Sequence, residues 1–192
     1  MSKDYITLLL VNRAGGLGAL AFYFVFGAGK EDRRAWAPAM LMPGLVAFLV
    51  GLHMTLTWPI PKLDQINLAW ANIAYGEMSV LLGVLFLAAA LALGKGWSLA
   101  PIGVYGGLAA AVAIVVGVRI YALNLTLSPL ISAVGFVVTG AAGLASASAL
   151  CNCCGRVSRG IAAALLLAAA GLWAIQGAMA YWAHLATFSA LK

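Results

Sequence analysis

The chain has 192 residues, of which 65% are hydrophobic and only 8% are charged, and its formal net charge is +6. Water-soluble domains carry about 25% charged residues, so this composition excludes a soluble globular domain and indicates an integral membrane protein. The lysine and arginine residues lie mainly in short polar joints, as the orientation rule for membrane proteins expects, and they do not indicate nucleic acid as a partner.

Six apolar stretches are long enough to span a bilayer, which takes about 20 residues. In chain order they cover residues 6–27, 36–58, 68–93, 99–123, 130–150 and 161–185. Only short joints separate them. The sequence therefore predicts an all-α fold, an integral membrane bundle of six transmembrane helices with short loops that forms a single domain over residues 1–192.

The basic residues predict the orientation of these spans. The apolar part of the first span is too long for a secretory signal, so this span is expected to be retained as an anchor. One side of the membrane receives six basic residues: Lys30, Arg33, Arg34, Lys95, Arg156 and Arg159. The other side receives Lys3, Lys62 and Lys192. The positive-inside rule thus predicts a multi-pass protein of the cell inner (cytoplasmic) membrane with both termini outside.

Five ionisable residues lie within the predicted spans, where such residues usually face the interior of a bundle. They are Arg13, His53, Glu77, Arg119 and His184. At 1.5 Å per residue, Arg13, His53 and Glu77 lie about 10, 8 and 13 Å below the outer ends of their spans, and the other two within roughly 5 Å of theirs. We therefore expect a polar layer in the outer half of the membrane.

An alternative for Arg119 and His184 is that both extend to the lipid headgroups. An aromatic belt would then be formed by Trp58, Trp70, Tyr181 and Trp182. The alternative does not explain Glu77 of "NIAYGEMSVLLGV", which stands two turns inside its span. This carboxyl group must be protonated or paired with Arg13, Arg119 or His53.

His53 and Glu77 are expected to be neighbours, because consecutive antiparallel spans joined by a short loop pack together. Their depths differ by about 5 Å, so they could meet directly or through Asn72 or a water molecule. One hypothesis is that the two side chains bind copper, iron or zinc, with Asp64 as a further candidate ligand. Asn67 and Asn72 would add hydrogen-bonding groups to the same polar site.

A second hypothesis is a b-type haem with His53 and His184 as axial ligands. Arg13 or Arg119 would then lie near the haem propionates. Ridges of small residues, such as "GAAGLASASA" at residues 140–149, would leave room for the flat macrocycle. Such ridges are also typical of close helix packing, which is the simpler interpretation.

The three cysteines, Cys151, Cys153 and Cys154, fall together in the joint "CNCCGR". On the predicted topology this joint is cytoplasmic, where thiols stay reduced. A zinc site needs four ligands, and neither histidine reaches this joint. We therefore expect free thiols, with a redox-active or lipid-modified cysteine as the alternative.

Three segments carry a family resemblance: "GLHMTLTWPIP", then "NIAYGEMSVLLGV", then "LTLSP" ahead of a glycine-rich span. Together they resemble an uncharacterised domain-of-unknown-function family of small multi-spanning membrane proteins, over residues Gly51 to Gly143. The resemblance implies a shared fold and a shared pattern of His, Glu and Asn. It implies no chemistry, because the family has no assigned activity.

The favoured functional hypothesis is an accessory or structural subunit of a larger membrane complex, whose polar site holds a metal, haem or quinone. The alternatives are the b-type cytochrome and a proton or small-solute transporter that uses Glu77. The nearly uniformly apolar cytoplasmic half argues against a path across the membrane. No nucleophile elbow, phosphate loop or zinc-protease motif is present, so a stand-alone enzyme is not expected. The expected partners are the lipid bilayer and other membrane subunits.

Overall fold

A computed structural model describes residues 5–60, 68–126, 128–151 and 155–189, with side chains described as far as residue 186. Within these residues the fold is all helical and contains six helices long and apolar enough to cross a membrane. The helices are α1 (Tyr5–Phe22), α2 (Ala37–Thr57), α3 (Met78–Lys95), α4 (Ala100–Ala122), α5 (Pro129–Leu150) and α6 (Gly155–Ser189). The predicted all-α membrane bundle is confirmed.

Short turns of other helix types extend three of these spans. A π-helical turn, Tyr23–Gly27, continues α1, a 3-10 turn, Arg34–Trp36, leads into α2, and a second π-helical turn, Asn72–Glu77, leads into α3. α6 begins at Gly155, earlier than the predicted residue 161. The difference arises because its first turns contain the polar residues Arg156, Ser158 and Arg159, which hydropathy excludes from a span although they are helical.

The helix boundaries follow from proline and glycine. Prolines stand in the first turns of α2, α4 and α5, where the missing N–H has no intrahelical partner to lose. α3 ends at Gly96, whose φ of 72° is the left-handed conformation that suits glycine after a helix. α2 ends at Trp58, which is also left-handed, with φ 45°, and is followed by a proline.

The six helices form a ring in chain order, with α6 packed against α1. Because the number of spans is even, α1 begins and α6 ends at the same end of the bundle, which we call the terminal end. The opposite end, which we call the basic end, carries the joints with Lys30, Arg33 and Arg34 and the start of α6. Two pairs of helices in this ring, α2 with α3 and α4 with α5, are packed most closely.

Glycines explain the close packing of the first pair. Gly44 and Gly51 of α2 face Leu87 and Gly76 of the span that contains α3, Gly83 of α3 faces Phe48 of α2, and we call this contact the α2–α3 seam. A Cβ atom placed on Gly83 would lie 2.5 Å from the backbone nitrogen of Phe48. A Cβ on Gly51 would lie 2.8 Å from the carbonyl oxygen of Gly76. The two helix backbones are therefore in direct contact, as small residues permit in a membrane.

The small-residue ridge of α5 packs in the same way against α4. A Cβ on Gly140 would lie 2.6 Å from the carbonyl oxygen of Ala110, and one on Gly143 would lie 2.7 Å from the Cβ of Ala110. A Cβ on Gly103 would lie 3.3 Å from the carbonyl oxygen of Ala147. The ridge at residues 140–149 thus packs closely against α4, as the simpler of the two interpretations expects.

Candidate binding site in the membrane interior

One arginine lies inside the ring of helices. Arg13 of α1 is only 3% exposed, although it stands about 12 Å along α1 from the terminal end. Its Nη2 donates a hydrogen bond to Oγ of Ser79 on α3 at 3.3 Å. Ser79 is itself buried beside Gly51, so the α2–α3 seam fixes the hydroxyl group that orients the guanidinium.

Three aromatic rings surround the Arg13 guanidinium. Its central carbon lies 4.8 Å from the ring centre of Trp173, 5.2 Å from that of Phe136 and 5.7 Å from that of Tyr75. Phe136 packs edge-on against both other rings, with ring centres 5.3 and 5.5 Å apart. These contacts are cation–π interactions, worth up to about 2 kcal/mol each when desolvated. We call the rings of Tyr75, Phe136 and Trp173 the aromatic box.

The rings are fixed from three different helices. Tyr75 stands on the π-helical turn before α3, Phe136 on α5 and Trp173 on α6. The indole Nε1 of Trp173 donates to Oγ1 of Thr139 at 2.7 Å, and that hydroxyl donates to the carbonyl oxygen of Gly135 at 2.7 Å. The orientation of Trp173 is therefore set by hydrogen bonds that do not involve Arg13.

The guanidinium retains a donor without an acceptor. Within the described part of the chain, Nη1 of Arg13 is buried and has no hydrogen-bond partner. The described acidic residues are Glu31 and Asp32, beyond the far end of α1, and the exposed Glu77, and none of them forms an ion pair with Arg13. Burying an unpaired charge costs several kcal/mol, which is of the same order as the combined contribution of one hydroxyl group and three rings.

A cavity of about 140 Å³ extends from Arg13 toward the basic end of the bundle. All six helices contribute to its wall, among them Leu17, Met40, Leu85, Ala109, Thr139 and Leu166. Along α5 the wall runs from Phe136 to Leu150, a distance of about 21 Å at 1.5 Å per residue. The cavity is thus long and narrow, and Arg13 is the charged residue among those that the structure describes in its wall.

The cavity borders the contact between α3 and α4, which we call the α3–α4 seam. A Cβ atom on Gly106 of α4 would meet only the Cδ2 atom of Leu85, at 3.7 Å. At five other helix contacts a Cβ would lie 2.5 to 3.0 Å from a backbone atom of the neighbouring helix: those of Gly44, Gly51, Gly83, Gly117 and Gly140. The α3–α4 seam is therefore closed only by long side chains, with no backbone contact at Gly106.

His53 and His184 lie on opposite sides of α1. The ring of His53 stacks on Tyr5, with centres 5.4 Å apart, and its Nδ1 lies 3.3 Å from Oγ1 of Thr57. Nδ1 of His184 lies 3.4 Å from Oγ1 of Thr7. Tyr5 and Thr7 point in directions about 200° apart because they are two residues apart on a helix. Both histidines are exposed at the surface of the bundle.

Glu77 and Arg119 are also exposed, and neither forms a hydrogen bond or ion pair within the described residues. Glu77 is two residues from Ser79, so the two side chains leave the helix on opposite sides and Glu77 points away from Arg13. Gly51 of α2 faces α3, which turns His53 away from α3 for the same reason. The expected contact between His53 and Glu77 is therefore absent from the described residues.

Asn72 is buried and has a structural role. Its Nδ2 donates to the carbonyl oxygens of Ile60 and Ala69, at 3.0 and 3.2 Å, and its Oδ1 accepts from the backbone N–H of Ile60 at 3.3 Å. The side chain thus holds the segment after α2 against the start of the next span. The other polar residues predicted here, Asp64 and Asn67, lie outside the described residues.

Among the described residues no group of three or more His, Cys, Asp or Glu side chains is placed to hold a metal ion. Cys151 is exposed near the carbonyl oxygen of Ala100 and is not in a disulfide within the described chain. Cys153 and Cys154 lie outside the described residues. Binding of metal or haem by the predicted residues stays a prediction.

Sequence reasoning picked out Arg13 but did not predict its surroundings. Ser79, Phe136 and Trp173 were not among the predicted site residues. A clue was present for Trp173, which stands in the middle of the predicted span 161–185. Tryptophans of an aromatic belt lie at the membrane interfaces, so a tryptophan at mid-span indicates an interior position.

The fold and this interior site define a multi-pass helical membrane protein with a buried arginine in its core. The family model described as "Protein of unknown function (DUF981)" matches residues 1–187, and the chain belongs to this family. The resemblance to an uncharacterised family of multi-spanning membrane proteins is thereby confirmed. No curated protein and no solved structure matches the chain.

Proposed function

We propose that the protein is an intramembrane binding protein for a lipid-like molecule with one slender apolar chain. The observation that carries this proposal is the narrow cavity lined by all six helices. Its lining extends about 21 Å along α5 while its volume is only about 140 Å³, so its shape suits a single chain rather than a wide ring system.

The position of the cavity supports the same function. Its length of about 21 Å along α5 exceeds one leaflet of the hydrocarbon core, which is about 15 Å thick. The α3–α4 seam gives a chain a lateral route from the bilayer, since only side chains separate the cavity from lipid there. A ligand that enters by this route passes from the bilayer into the cavity without contact with water.

Mass spectrometry of lipids extracted from the purified protein tests this function. Gly106→Leu places a large side chain in the cavity, and we expect it to remove most of the bound single-chain lipid. Gly171→Leu is the matched control, because Gly171 is exposed on α6 with nothing within 4 Å of its Cβ position. Equal lipid content in wild type and both variants would contradict the proposal.

In the proposed orientation the protein lies in the cell inner (cytoplasmic) membrane. Its basic end then faces the cytoplasm, and both termini lie outside. This orientation is supported by the basic joints at one end of the bundle. Cys151 is exposed at that end. A membrane-impermeant maleimide should therefore spare the native cysteines in intact cells and label them after permeabilisation. Labelling of intact cells would reverse the orientation.

A second function, as an accessory subunit of a larger membrane complex, is supported by Glu77. This exposed carboxyl group stands about 7 Å inside its span and lacks a partner among the described residues. A polar group in that position favours a protein neighbour over lipid. Other membrane subunits would then be partners, with no role for nucleic acid.

Photo-crosslinking tests the second function. A photoreactive residue at Ile73, which is exposed one turn before Glu77, should yield adducts with a distinct membrane polypeptide. The matched control is Val115, an exposed residue on α4, where lipid adducts are expected. Lipid adducts alone at both positions would contradict a subunit contact at Glu77.

A further inference from the structure

We infer that the ligand of the cavity carries an oxyanion head group, and that Arg13 binds this head within the aromatic box. The inference rests on the proposed binding of a lipid-like chain and names the class of lipid. It predicts a single-chain anionic amphiphile, with either a carboxylate or a phosphodiester as the head.

The first argument is the unsatisfied donor. Nη1 of Arg13 is buried without a partner among the described residues, while Nη2 already bonds to Ser79. Arg13 also belongs to the cavity wall, so a ligand head at this end of the cavity would lie beside its guanidinium. A ligand oxygen at this end of the cavity would complete the hydrogen bonding of the guanidinium.

The second argument is charge. The arginine brings one positive charge into the bundle, and no described carboxylate pairs with it. A neutral head such as a hydroxyl or quinone carbonyl would satisfy the donor but leave the charge uncompensated in a medium of low dielectric constant. An oxyanion does both, because guanidinium matches carboxylate and phosphate oxygens in geometry as well as in charge.

The third argument is the arrangement of head and chain. Arg13 and Phe136 lie at one end of the cavity, and from there the wall continues toward Leu150 with apolar side chains. The hydroxyl groups of Thr139 and Ser146 in this wall are bonded to carbonyl oxygens of their own helix at 2.7 Å. The unsatisfied hydrogen-bonding capacity of the wall is therefore concentrated at Arg13. The narrow remainder of the cavity fits one chain rather than two.

Competition binding on the full-length purified protein tests this inference. Radiolabelled palmitate is displaced in turn by unlabelled palmitate, by hexadecanol and by lysophosphatidylglycerol. We expect the anionic ligands to bind at least about tenfold more tightly than hexadecanol, since a hydrogen bond to a charged group contributes about 1.5–3 kcal/mol. The order of palmitate and lysophosphatidylglycerol identifies the head as carboxylate or phosphodiester.

Variants locate the head group. Arg13→Gln should remove the preference for anionic ligands by lowering the affinity for palmitate to about that for hexadecanol, and the hexadecanol binding that remains reports that the variant is folded. Arg13→Lys should retain part of the preference, because the charge remains. Arg119→Gln is the matched control, since Arg119 is an exposed arginine on α4 outside the cavity wall.

Two results would overturn the inference while leaving the chain site intact: equal affinity of wild type for palmitate and hexadecanol, or an anion preference that survives Arg13→Gln. If neither ligand binds to wild type, the proposed function fails together with the inference. The three outcomes are distinguishable in a single set of displacement curves.

Discussion

Helix α3 makes a different kind of contact with each of its two neighbours. On the α2–α3 seam, glycines spaced seven residues apart on both helices bring backbone against backbone, as at Gly83 and Phe48. On the α3–α4 seam, α4 also presents small residues, but α3 presents leucines, as at Gly106 and Leu85. A glycine thus closes a seam where the backbone of the neighbouring helix reaches it, and a cavity remains where only a long side chain does.

The position of α4 follows from its other neighbour. Gly140 and Gly143 of α5 receive the backbone of α4 around Ala110 at contact distance. α4 is therefore held against α5, as α3 is held against α2. The ring consists of two tight pairs and α1 with α6, and the cavity that all six helices line borders the seam where the two tight pairs meet.

The largest effect on stability is expected from disrupting the α2–α3 seam. Gly83→Val would force side-chain atoms into the backbone of Phe48 and should lower the free energy of unfolding by about 3 kcal/mol, because overpacking distorts the backbone. Reversible unfolding in mixed detergent and SDS micelles measures this change. Gly171→Val, at an exposed glycine with an open Cβ position, is the control and should change stability little. Equal losses would show that the seam does not depend on Gly83.

A smaller loss of stability is expected from Asn72→Ala, which removes hydrogen bonds at the terminal end of the α2–α3 seam. The change leaves the backbone N–H and carbonyl of Ile60 without the side-chain partner they have now. We expect a loss of about 2 kcal/mol in the same unfolding assay. Asn12→Ala removes a single bond, to the carbonyl oxygen of Pro43, and should cost less. A larger effect at Asn12 would contradict the role given to Asn72.

The open seam should respond in the opposite direction. Gly106→Leu fills part of the cavity, and we expect it to raise the free energy of unfolding of lipid-free protein by about 1 kcal/mol, as cavity-filling substitutions commonly do. The measurement needs delipidated samples, because bound lipid stabilises wild type and would mask the gain. Destabilisation comparable with that of Gly83→Val would show that the α3–α4 seam is closed.

The smallest effect on stability is expected at a glycine that contacts no neighbouring helix. Gly15 is exposed on α1, and its Cβ position has no neighbour within 4 Å. Gly15→Ala should stabilise the helix by about 0.5 kcal/mol through the unfolded chain alone. A loss of stability there would indicate a contact of Gly15 outside the described chain.

The sequence predicts the number and approximate bounds of the spans because these depend on length and composition. The depth that it predicts for Arg13, His53 and Glu77 in the membrane stays a prediction. It does not predict how each helix is rotated, because the lipid and the protein interior are both apolar and hydropathy is similar on all faces. Arg13 faces the interior whereas His53 and Glu77 face outward, and only the packing of neighbouring helices decides this.

The aromatic box was missed for a related reason. Tyr75, Phe136 and Trp173 come from three spans that are distant in sequence, and no spacing rule connects them. Their meeting depends on α6 closing the ring beside α5. Of these rings, only the mid-span tryptophan carried information in the sequence itself.

The short connection Gly96–Leu99 limits how far α3 and α4 can separate at one end of the bundle. It joins α3 and α4 at the basic end, and a connection of this length keeps the two helix ends within about 17 Å of each other. At the terminal end α3 and α4 have no such tie, since each is joined there to its own tight partner, α2 or α5. Any separation of α3 from α4 that keeps this connection intact would therefore be largest at the terminal end, in the half of the bundle where Arg13 lies.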